Sequence, residues 1–213
     1  MKTDELVDLL AQGEVAVDPG ASVRRASAAF AGAVVVSAAL MAWQLGVLPV
    51  LGAYLREPMF WVKAGFAVVL SVTAIAAALR LARPGAKLGA VSAAIAAPFI
   101  AIWLLAAFSL LRAAPAERAR LLFGDTWTEC PFYITLLAAP VFVGVMWAMK
   151  GFAPTRLALA GAAAGLAAGA TGAAVYSLHC PELAAAFLGS WYVVGILIPT
   201  VAGALIGPRV LRW

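Results

Sequence analysis

The sequence predicts an all-α, polytopic membrane protein, a bundle of six transmembrane helices with both termini on the cytoplasmic side. Three observations carry that reading. Apolar residues make up 65% of the chain and charged residues only 12%, whereas a soluble domain has roughly half and a quarter. Six apolar stretches are each long enough to cross a hydrocarbon core about 30 Å thick. Lys and Arg gather between alternate stretches, as the positive-inside rule requires.

The first stretch runs over residues 28–50 and the second over 59–79, interrupted by Lys63. The third covers 88–111, the fourth 131–149, the fifth 157–177 and the sixth 183–206. Pro58, Pro84, Pro131, Pro154 and Pro181 stand between stretches or at their starts, where proline suits a helix opening. Pro98, Pro140 and Pro199 fall inside, where neighbouring helices must satisfy the freed carbonyls.

Orientation follows from charge. Lys2, Arg24, Arg25, Arg80, Arg83, Lys87, Lys150, Arg156, Arg209 and Arg212 fall on one side; Arg56, Lys63, Arg112, Arg118 and Arg120 fall on the other. The richer side is cytoplasmic, so both ends lie inside and the span number is even. Residues 1–25 then form a cytoplasmic tail, 26–208 the membrane domain and 209–213 a short cytoplasmic end. The bilayer is the expected surroundings, and a bacterial inner membrane the expected location. Arg24-Arg25 before an apolar run suggests an export signal, but the run is too long, the tail is acidic and five spans follow. Trp43, Trp61, Trp127 and Trp191 fall at outer ends and Trp147 at an inner end, as in an interfacial belt. Trp103 reads as a packing residue. Lys63, near an outer interface, is expected to snorkel outward.

The net charge of +5 is explained by topology. The chain has no basic patch interleaved with aromatics, so direct nucleic-acid binding is not expected.

The two cysteines stand on the outer side, each before a proline, in Glu129-Cys130-Pro131-Phe132 and His179-Cys180-Pro181-Glu182. Proline at the first helical position would put each cysteine at an N-cap, where free N–H groups and the helix dipole favour a thiolate. Three readings stand side by side. One is a redox-responsive pair. The second is a static disulfide, which needs Cα atoms within about 7 Å. The third is soft-metal capture by Cys130, His179, Cys180 and Glu182, without a CxxC or HxxxH spacing to support it.

Half of the acidic residues (Asp4, Glu5, Asp8, Glu14 and Asp18) precede the first span. Thr3 fits an N-cap, Asp4 and Glu5 fit the first turn, and Leu6, Leu9 and Leu10 share one face. Such a segment is either a fraying tail or an acidic amphipathic helix that orders in a partner's groove. Gly161, Gly165 and Gly169 form a small-residue ladder in the fifth span, and packing inside the bundle is favoured over a homodimer interface on that face.

Apart from Lys63 no ionisable side chain falls inside a span, and no phosphate loop, Ser-His-Asp or paired-carboxylate constellation is present. An enzyme is not expected, and neither is a cofactor.

The opening Met1-Lys2-Thr3-Asp4-Glu5-Leu6-Val7-Asp8-Leu9-Leu10, six spans and His179-Cys180-Pro181-Glu182, followed by Phe187 and Trp191-Tyr192, resemble the NrsF family, the "negative regulator of sigma F" anti-sigma factors of proteobacteria. The resemblance implies an inner-membrane protein that holds an extracytoplasmic-function sigma factor inactive. It implies that Cys130 and Cys180 are paired periplasmic sensors of oxidant or heavy-metal stress. The tail, through Asp4, Glu5, Leu6, Asp8, Leu9 and Leu10, would supply the grip, with inner loops and residues 209–213 sharing it. The rival expectation is a small transporter or permease subunit with a structural disulfide, which predicts a midplane cavity.

Overall fold

The computed structural model describes residues 3–12, 20–152 and 154–212. Among them the architecture is helical throughout: α1 (Thr3–Gln12), α2 (Ala21–Gln44), α3 (Leu51–Tyr54), α4 (Pro58–Leu81), α5 (Ala90–Arg112), α6 (Pro115–Phe123), α7 (Cys130–Lys150) and α8 (Leu157–Tyr176). A last helical run, Ala185–Val210, opens as α9 (Ala185–Phe187), passes through a π-helical turn at Leu188–Tyr192 and continues as α10 (Val193–Val210). Among the described residues six helical segments are long and apolar enough to cross a membrane: Val23–Gln44, Pro58–Leu81, Ala90–Arg112, Cys130–Lys150, Leu157–Tyr176 and Ala185–Val210.

Local chemistry sets the ends. Pro58 opens α4 behind an extended Glu57, and Arg80 in its last turn complements the dipole. The first long helix stops at Gln44 rather than continuing to residue 50. Gly46 adopts φ +73°, and its N–H and that of Leu45 both donate to the Met41 carbonyl, a left-handed helix stop. At the other end α2 begins at Ala21, so Arg24 and Arg25 belong to the same helix as the apolar run. Thr3 is the first helical residue of α1 rather than its cap, a shift of one position.

The helix α8 is the centre of the bundle. Across its most apolar window 78% of the residues are buried, against 11% in α2 and 17% in α5. It packs most extensively on α10, then on α4 and α7. The α8–α10 contact runs backbone to backbone. A methyl group at Gly161 would land on the Gly203 carbonyl, one at Gly165 on the Pro199 carbonyl and one at Gly169 on the Ile196 carbonyl. The glycine ladder is therefore covered within the chain, and a homodimer through Gly161, Gly165 and Gly169 has no open face to use.

Around this centre the core divides into a cluster containing Leu70, Ile134, Leu137, Phe187, Leu188 and Ile196, and a second containing Leu81, Val141, Met146, Met149 and Ala160. Three buried hydroxyls on the long helices are paired: Ser37 donates to the Leu137 carbonyl at 2.8 Å, and Ser71 and Thr171 bond each other at 2.8 Å. Val68, Val72, Leu104, Phe108, Val143, Val201 and Leu205 face outward. That is an apolar mantle suited to lipid and a hazard in water.

Between α5 and α7 the chain forms α6, with Pro115 at its start, Glu117 in its first turn and Arg120 in its last. It carries an aromatic cap. Trp127 and Trp191 stack at 4.9 Å against Phe123, and Trp191 Nε1 donates to the Leu122 carbonyl at 3.0 Å. Trp103 is not a core residue: 53% of it is exposed, while its Nε1 donates to the Gly189 carbonyl at 2.9 Å inside the π-turn.

A buried thiol cluster as the candidate functional site

Cys130 opens α7, and Cys180 lies in the segment joining α8 to α9. Although 50 positions apart in sequence, both belong to one core cluster, are fully buried and carry free thiols. Neither is an N-cap. Glu129 holds that place on α7, and Cys130 is already helical. Cys180 is at the opposite kind of helix end. Its N–H donates to the Tyr176 carbonyl at 3.0 Å and so helps close the C-terminus of α8. Residues 181–184 then run without helix before α9 starts. The dipole at that end disfavours negative charge, so the expected helix activation of the Cys180 thiol is absent.

The charge at the site comes from Lys63. It is fully buried rather than snorkelling. Its Nζ donates to the carbonyl of Cys180 at 2.7 Å and to that of Glu182 at 3.2 Å, and lies 5.6 Å from the centre of the Phe60 ring. Two carbonyls of the non-helical connection are satisfied by the ammonium, which is itself kept from water. The hydrogen bonds offset much of its desolvation.

Tyrosines close the cluster. Tyr176, the last residue of α8, stacks loosely on Tyr133, Tyr192 and His179 at 6.1, 6.0 and 5.8 Å. Tyr192, in the π-turn, is fully buried; its hydroxyl has no well-formed hydrogen bond and faces the Cys180 thiol. Burial pushes the Cys180 thiol above its ordinary value. The Lys63 ammonium is the strongest opposing influence, followed by the Tyr192 hydroxyl and the Glu182 main chain.

The remaining metal candidates point elsewhere. His179 Nδ1 donates to the Gly46 carbonyl at 2.9 Å. Glu182 Oε1 accepts the Asp125 N–H at 2.8 Å. Gly124 makes that contact by its φ of +54° and by its missing side chain, since a methyl group there would strike the Glu182 carboxylate. Among the described residues no group of three His, Cys, Asp or Glu side chains comes together.

The predicted partner contacts lie far from the thiols in sequence. Asp4, Glu5, Leu6, Asp8, Leu9 and Leu10 all belong to α1, where Thr3, Asp4, Glu5, Val7 and Asp8 are exposed. The side chains of Leu6, Leu9 and Leu10, and residues 13–19 with Glu14 and Asp18, lie outside the described residues. Lys63 is the residue that pattern reasoning singled out but misassigned, as a snorkelling side chain rather than a buried one. Its signal was a lone ionisable side chain inside a span, which in a membrane protein marks a site by default.

Residues 10–213 match the family NrsF, described as negative regulator of sigma F. The chain is 48% identical over 213 residues to a protein of Azospira oryzae named probable anti-sigma-F factor NrsF, with both chains covered completely. It is 36% identical over 217 residues, again with full coverage of both, to the anti-sigma-F factor NrsF of Caulobacter vibrioides. No solved structure matches. On the family match and on two relatives aligned from end to end, the chain belongs to the NrsF family of negative regulators of sigma F.

Proposed function

We propose that this chain is a multi-pass protein of the bacterial inner membrane, with both termini in the cytoplasm, that sequesters an extracytoplasmic-function sigma factor. It releases that factor when Cys130 and Cys180 meet oxidant or heavy metal in the periplasm. The names of the relatives support sigma-factor binding, and the six apolar helices with their charge asymmetry support the topology. The observation that carries the sensing half is the convergence of two thiols from separate segments on one buried cluster. Chemistry on either sulfur must disturb contacts among α4, α7, α8 and the π-turn at once.

On this reading α1 supplies the grip: Leu6, Leu9 and Leu10 enter the sigma factor's groove while Asp4, Glu5 and Asp8 meet a basic surface. A tenfold weakening requires only about 1.4 kcal/mol, within the reach of one new bond between two connections. Co-purification of the sigma factor with wild type and with Cys130→Ser/Cys180→Ser, with and without oxidant, tests it. Wild type should lose its partner under oxidant and the double variant should keep it; equal retention defeats the sensing half. Deleting residues 1–20 separates this function from that of a transporter, which should survive the deletion while repression is lost.

A further inference from the structure

Arg112, Arg118 and Arg120 gather within residues 112–120, on the side of the bundle whose cations the positive-inside rule leaves unexplained. Two extended residues, Ala113 and Ala114, turn the chain there from α5 into α6. The turn frames a cleft of about 460 Å³ lined by Leu110, Leu111, Arg118, Ala119, Leu122 and Phe123. That is the size of a small-molecule site, apolar on every wall but the one formed by Arg118. Its frame is fixed from behind. Leu121 and Leu122 pack on the cluster of Ala106, Ala185 and Ala186, and the Leu122 carbonyl accepts the Trp191 Nε1–H. In front, Leu111 is 79% and Phe108 57% exposed, so the wall of the cleft continues into the outward apolar surface of α5.

The cations are arranged around this wall. Arg118 bends back to the end of α5, where its Nε donates to the Ala113 carbonyl at 3.3 Å; the two terminal nitrogens of the guanidinium remain for another acceptor. The Arg112 guanidinium lies 4.9 Å from the centre of the Phe108 ring. Among the described residues no carboxylate pairs with Arg112, Arg118 or Arg120. A ligand that meets all of this has an anionic head and an apolar tail. Free phosphate has no use for the apolar walls, and a choline headgroup brings a second cation against the arginines.

We propose that the cleft between α5 and α6 binds an anionic phospholipid, with an acyl chain against Leu110, Leu111, Leu122 and Phe123 and the phosphodiester on Arg118. Arg112 and Arg120 add positive potential beside it. A guanidinium fork matches two phosphate oxygens at once, which an ammonium cannot do. This site rests on the membrane topology proposed above, which puts the cleft at the level of the outer headgroups.

For the test, the full chain in detergent is titrated with phosphatidylglycerol, phosphatidylcholine or glycerol 3-phosphate, and bound molecules are counted by native mass spectrometry. Wild type should hold one phosphatidylglycerol about tenfold more tightly than phosphatidylcholine; equal affinity overturns the site. Glycerol 3-phosphate carries the anion without the chains and should not displace the lipid; displacement overturns the site as well. Arg118→Gln should weaken phosphatidylglycerol by about tenfold, while Arg56→Gln, on another outer connection, should leave it unchanged. Equal losses in the two variants would show diffuse attraction and no site. Ala119→Trp, at an exposed position, keeps every charge and fills the cleft. It too should weaken the lipid, and unchanged binding overturns the acyl-chain contact. A chain missing from the membrane fraction of expressing cells defeats the topology, whereas a membrane-bound chain without the phosphatidylglycerol preference defeats this site alone.

Discussion

Lys63 Nζ lies 2.7 Å from the main-chain oxygen of Cys180, a bond between residues 117 positions apart that is closed entirely inside the protein. It joins the second long helix to the connection that carries one of the two thiols. Whatever happens at Cys180 is therefore felt on α4.

The first expectation concerns stability. Lys63→Met removes the donor shared by the Cys180 and Glu182 carbonyls while relieving the desolvation of a buried charge. The unmet carbonyls outweigh that relief, and the net loss should be roughly 1–3 kcal/mol. Thermal unfolding in detergent measures it, and an unchanged midpoint would mean the clamp holds nothing.

The second concerns pH. Burial raises the Cys180 thiol in the folded chain above its ordinary value, so above the usual thiol range of about 8.5 the unfolded chain gives up a proton that the folded chain retains. The contribution to stability is complete below that value and is lost as pH rises through the folded-state value. Melting temperature should fall between about pH 8 and 10, and Cys180→Ser should flatten the fall.

A third compares two glycines. Gly165→Ala drives a methyl group into the Pro199 carbonyl, whereas Gly65→Ala meets nothing within 4 Å. The first should cost about 2–4 kcal/mol by overpacking, and the second should be neutral or slightly stabilising by helix propensity. Paired denaturation curves decide it; equal costs would mean that the helix pair relaxes freely.

A fourth addresses the grip. Asp4→Lys/Asp8→Lys reverses two exposed charges of α1 and should weaken sigma-factor retention by about tenfold at low salt, less at high salt. Thiol oxidation, measured alongside, should not change. Retention that is indifferent to both charge and salt would move the contact surface to the inner loops.

Much of the bundle was legible because span length and hydropathy are properties of contiguous sequence. The glycine ladder was legible for the same reason: Gly161, Gly165 and Gly169 recur at one helical face, and α10 packs there. The short helix α6 had a readable signature in Pro115, Glu117 and Arg120, yet its modest length inside a connection hid it. Lys63 was misread because its partners are main-chain carbonyls, which every residue possesses and no pattern marks. Only the path of residues 180–182 makes those two carbonyls special. The cysteine geometry failed for a related reason. A Cys-Pro pair opens a helix at residue 130, but at residue 180 the same pair enters a non-helical stretch in which Lys63, rather than a helical turn, holds the Cys180 and Glu182 carbonyls.

The contact of α8 with α10 has a mechanical consequence. Helices that meet through long side chains can ratchet past each other by changing rotamers. Here carbonyls of one backbone sit in the glycine notches of the other at Gly161, Gly165 and Gly169, with no flexible layer between them to shear. The pair can pivot but has no sliding stroke. A disturbance where Cys180 closes α8 would therefore reach Arg209, at the far end of α10, as a tilt of both helices together.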